Sequence, residues 1–112
     1  MAQDITFRPG IEGLMAALAV AEQLSAGSST VPASVRVDEH SGWLVGQERP
    51  LGVHLYFHRD EDAVRAFADR FEAKTNSVVD GPDRLTVASG VLSGVPFRAW
   101  TLTDVEAAQV AA

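Results

Sequence analysis

No cysteine occurs among the 112 residues. That absence excludes disulfides, thiolate metal centres and cysteine nucleophiles, and it leads us to expect a reducing, cytoplasmic setting. Lysine is almost as scarce, with one residue against eight arginines, and the nine cations are scattered singly along the chain. With no basic stripe and a net charge of −6, neither direct nucleic-acid binding nor docking on anionic lipid is expected. No apolar run is long enough to span a bilayer, and MAQDITFRPG with Asp4 before Arg8, followed by an Ala-rich stretch bracketed by Glu12 and Glu22, makes a poor signal peptide. Phosphate-cradling glycine motifs are missing, and GVLSG at 90–94 has its serine in the wrong position for a nucleophile elbow. Asn76 begins no glycosylation sequon. These absences point away from catalysis and from any cofactor. The arginine bias and the many Ala and Val residues suggest a high-GC bacterial or mobile-element source.

What the chain does have is the make-up of a folded domain. An apolar fraction of 46% and a charged fraction of 21% suit one domain over 1–112, large enough to bury a core without staples. Residues 10–26 predict a helix, with Pro9 ahead of it and Gly27 placed to end it in a left-handed conformation. Ile11, Leu14, Met15, Leu18 and Ala21 form one apolar stripe, and Ala17, Val20 and Leu24 widen it. A helix apolar over so much of its girth calls for cover on more than one side, from the second helix or from a partner subunit.

Strands are expected at SVRVDE, at WLVG after a turn at HSG, and at GVHLYFH. Residues 60–74 then predict the clearest helix: Asp60 is a natural N-cap, and Val64, Phe67, Ala68 and Phe71 make its buried stripe. Glu61 to Arg65 and Arg65 to Asp69 are favourable pairs on its solvated side. SVVD, RLTVAS with VL, and VPFRAWTLT follow as strands, with turns at DGPD and at Ser93-Gly94, and with Pro96 suited to an edge or a strand's start. The expected fold is an α+β two-layer sandwich, a mainly antiparallel sheet of five to six strands with two helices on one face. A weak internal αβββ echo relates 10–58 to 60–103, and 104–112 is expected to fray.

The segment LGVHLYFHRDED at 51–62 carries the chemistry that is present. Its period of two sends Val53, Leu55 and Phe57 to one side and His54, Tyr56 and His58 to the other. Two histidines four apart on a strand stand about 13 Å apart, too far to share a zinc ion, so no metal site is expected. Asp60 and Asp62 lie near His58, but a capped β-to-α junction explains them without catalysis. His40 in the HSG turn is expected to be solvated.

The candidate binding surface therefore comprises His54, Tyr56, His58, Arg98 and Trp100, joined by Trp43, with the two tryptophans balanced between core and interface. The leading expectation is a small non-catalytic interaction or regulatory domain, homodimeric through this sheet face or the apolar first helix. A second is a small-ligand pocket or modest enzyme using His54, Tyr56, His58 and Arg98. A third, resting on the acidic charge, is an antagonist or immunity-type protein occupying a basic site.

Overall fold

A computed structural model describes residues 4–39 and 49–105. Helix α1 (Gly10–Gly27) is followed by β1 (Ser34–Glu39), β2 (Leu51–Tyr56), α2 (Glu61–Phe71), β3 (Lys74–Asp80), β4 (Asp83–Leu92) and β5 (Val95–Asp104). The five strands form one open sheet in the order β1-β2-β5-β4-β3, with both helices packed on it, an α+β fold as the sequence predicts. The strand expected at WLVG, the HSG turn, Trp43, His40 and all but the start of the C-terminal tail lie outside the described residues.

One pairing departs from the antiparallel hairpins expected. β2 and β5 run parallel at the centre of the sheet, with Val53 opposite Phe97 and Tyr56 opposite Trp100. The cause is the helix between β2 and β3. A strand-helix-strand crossover returns the chain in its original direction, so β3 runs with β2. Two tight reversals, at Gly81-Pro82 and at Ser93-Gly94, then give β5 that same direction in the gap beside β2. Ser93 and Gly94 both have positive φ, 51° and 81°, as a two-residue hairpin turn of this hand requires. Pro96 lies at the start of β5 rather than at an edge, one residue before the pairing with β2 begins at Phe97.

The core lies between sheet and helices. Val53, Leu55 and Phe57 from β2 and Phe97 and Ala99 from β5 meet Val64, Phe67 and Ala68 of α2 and Ala17, Val20, Ala21 and Leu24 of α1. Phe67 is the hub, its ring 5.7 Å from that of Phe97 and 4.8 Å from that of Phe71. The α2 stripe is the one read from the sequence, and Asp60 caps the helix, its Oδ1 accepting from the Ala63 N–H at 2.9 Å. The helix stops at Phe71, earlier than the helix formers through Lys74 suggest, because Glu72 turns left-handed and Lys74 already belongs to β3.

α1 differs more. Of the stripe expected to be covered by the second helix or by a partner subunit, only Ala21 is buried within the chain; Ile11 and Met15 remain 72% and 59% exposed, and Leu14 and Leu18 are exposed as well, so the second helix does not supply that cover. The buried side is Ala17, Val20, Ala21 and Leu24, whose two alanines let the helix lie close on β1 and β2 while Val20 and Leu24 fill the space between. Gly27 does not end the helix in a left-handed turn, since it is itself helical and the capping Ser28 is extended. Its value lies in its bareness: a Cβ there would come within 2.6 Å of the Phe71 ring, where the ends of the two helices meet.

Candidate functional site

With both helices on one face, the other face of the sheet is left open among the described residues, and strand alternation decides what it shows. Residues of even number in β1, β2, β3 and β5 and of odd number in β4 point there. Cross-strand register arranges them in rows. One row runs Arg36, His54, Arg98, Ser89, Lys74 across all five strands. The next runs Ser34, Tyr56, Trp100, Val87, Asn76, and beyond it lie Leu102, Leu85 and Val78. The last is Asp104, Asp83, Asp80. Toward the other end, beyond the row of Arg36, lie Asp38 opposite Gly52 and Pro96 opposite Val91, so the face passes from a basic row rimmed by Asp38 through an aromatic and apolar middle to an acidic end.

His54, Tyr56, Arg98 and Trp100, picked out from the sequence, are thus brought together as half-buried neighbours, His54 opposite Arg98 and Tyr56 opposite Trp100. The Tyr56 and Trp100 rings lie 4.5 Å apart at a 40° tilt. His58 has left the strand, which ends at Tyr56, and sits exposed in the turn before α2. It stays attached to the site: its Nδ1 lies 2.8 Å from the Tyr56 hydroxyl, and the two rings meet edge on. Phe57 continues inward, its N–H donating to the Trp100 carbonyl at 3.0 Å. Asp60 is engaged at the α2 cap, where its own N–H also donates to the Thr101 hydroxyl.

A groove of about 340 Å³ opens on this face, lined by Arg36, Asp38, Glu39, His54, Leu85, Val87, Arg98 and Trp100. Partial burial, then the guanidiniums of Arg98 and Arg36 on either side, hold the His54 imidazole below its ordinary pKa, with Asp38 pulling weakly the other way. Among the described residues neither Arg36 nor Arg98 has a carboxylate within ion-pair distance; the ion pairs join Glu61 to Arg65 and Arg84 on the helix side. Two guanidiniums flanking an imidazole, beside an indole face, make a seat for an anionic group. Asp38 and Glu39 form the rim on the β1 side, where the Asp38 Oδ1 accepts from the Glu39 N–H at 2.7 Å.

Arg36 is the residue that sequence reasoning missed. The alternation of SVRVDE sets it apart from Val35 and Val37, but its position opposite His54 follows from the register of β1 on β2, which no local pattern states. Among the described residues no group of three His, Asp or Glu side chains is arranged to hold a metal ion, and no helix is long and apolar enough to cross a membrane. Comparison with family models, with curated proteins and with solved structures finds no match for this chain.

Proposed function

We propose that this protein is a non-catalytic interaction domain that works through the open face of its sheet, taking an acidic segment of a partner protein into the groove around His54. The observation that carries this reading is the row Arg36, His54, Arg98, set in a groove beside Trp100 and Tyr56. Arginine with large aromatics is the composition of binding hot spots rather than of plain solvated surface. An acidic peptide matches the groove at three points. Its carboxylate meets the guanidiniums, its backbone N–H groups meet the rim carboxylates Asp38 and Glu39, and an apolar side chain lies on Leu85, Val87 and Trp100. The overall charge of −6 does not oppose this, because Asp60, Glu61, Asp62, Asp69 and Glu72 all belong to α2 and its two ends, in the layer behind the sheet. The cysteine-free composition supports a cytoplasmic setting.

A second reading is favoured by the size of the groove, which falls within the range of small-molecule sites: a free anionic metabolite held by the same arginines. Calorimetric titration separates the two, using a blocked aspartyl-phenylalanine dipeptide, its asparaginyl counterpart, benzoate and inorganic phosphate. The reading predicts millimolar binding of the aspartyl peptide, worth about −4 kcal/mol, that Arg98→Gln weakens about tenfold and that the asparaginyl peptide does not share. Binding of phosphate or benzoate without the peptide would select the small-anion reading. No binding of any of the four would remove the groove as a site.

A further inference from the structure

We propose that two copies of the chain join edge to edge through β3, extending the two sheets into one of ten strands. Among the described residues the sheet has two edges, β1 and β3. Charges on Arg36, Asp38 and Glu39 guard β1, as native edge strands commonly are guarded. β3 lacks that protection. All seven of its residues are exposed, it contains no proline, and the stretch from Thr75 to Val79 carries no charge while Val78 and Val79 are 50% and 57% exposed. Lys74 and Asp80 stand at its two ends, on the open face.

That arrangement is self-complementary. Antiparallel pairing about a two-fold axis at Ser77 sets Lys74 of each copy opposite Asp80 of the other, Thr75 opposite Val79, and Asn76 opposite Val78. Both ends close as ion pairs, and β-branched side chains are covered in the middle. The wider face agrees independently. Within one copy Asp80 lies directly opposite Asp83, a like-charge pair that destabilises a sheet, and among the described residues neither has a cation within ion-pair distance. In the dimer the acidic row runs on across the new seam into the partner's basic row, so that Asp83 and Asp80 continue into Lys74, Ser89 and Arg98 of the second copy. The same continuation occurs twice by symmetry. All four helices stay on one side, and the groove around His54 remains open on both copies.

The edge is a short interface, so the dimer is reversible and weakens with salt. Sedimentation velocity of the full chain from about 10 µM to about 1 mM tests it. The wild type is expected to pass from monomer to dimer across that range. Lys74→Asp alone and Asp80→Lys alone each weaken self-association about tenfold or more, because like charges then meet at both ends of the seam. An equimolar mixture of the two variants recovers dimer, since each end again pairs opposite charges, and a misfolded variant would give no such recovery. A wild type monomeric throughout, or a dimer indifferent to both substitutions, would overturn the proposal. So would a mixture that stays monomeric.

Discussion

His54 is the residue at which the surroundings and the proposed role meet. Burial and two guanidiniums favour its neutral form in the folded chain, so its pKa there lies below the value of about 6.5 it has when unfolded. The unfolded chain then binds the extra proton first. Stability is fully present above the unfolded value, falls as the pH drops below it, and stops falling once the folded value has been passed. Urea unfolding between pH 5 and pH 7.5 is expected to show that decline, and His54→Gln to flatten it. A variant declining as steeply as the wild type would mean that His54 is not the titrating group. How legible this site was follows from the same residue. Alternation along β2 alone put His54 and Tyr56 on one side. Arg98 and Trp100 could be named from composition, but only the parallel register of β2 with β5 sets them opposite those two.

Among the elements, α1 shows most plainly what a sequence pattern leaves open. A helix with apolar residues on most of its sides does not specify which side faces the sheet; here the side carrying Ala17, Val20, Ala21 and Leu24 does, and Ile11, Leu14, Met15 and Leu18 stay outside. Leu24→Ala is accordingly expected to cost about 2–5 kcal/mol. Met15→Gln, on the stripe that periodicity ranks equally, should change stability by no more than about 0.5 kcal/mol. Chemical denaturation of both variants checks the assignment, and equal losses would reverse it. α2 was legible because its pattern is narrow: one apolar stripe, one cap and acidic residues at the positive end. The strands were legible as elements, but their order was not. Pairing between distant segments depends on the crossover and the turns, which no local pattern states.

For the whole molecule, the decisive property is the separation of its charges. Asp60, Glu61, Asp62, Asp69 and Glu72 lie on the helix layer and Asp80, Asp83 and Asp104 toward one end of the open face, while Arg36, His54, Arg98 and Lys74 share one row toward the other, with Asp38 and Glu39 at its β1 rim. A net charge of −6 conceals that local basic row, which is why composition alone did not suggest the anionic partner proposed above. The most direct measurement of this claim is the NMR titration of the His54 ring, with and without a saturating blocked aspartyl-phenylalanine dipeptide. Alone, the imidazole is expected to titrate below its ordinary range. With a carboxylate seated between Arg36 and Arg98, its pKa should rise. A His54 curve that does not move, at peptide concentrations that saturate the protein, would contradict the account.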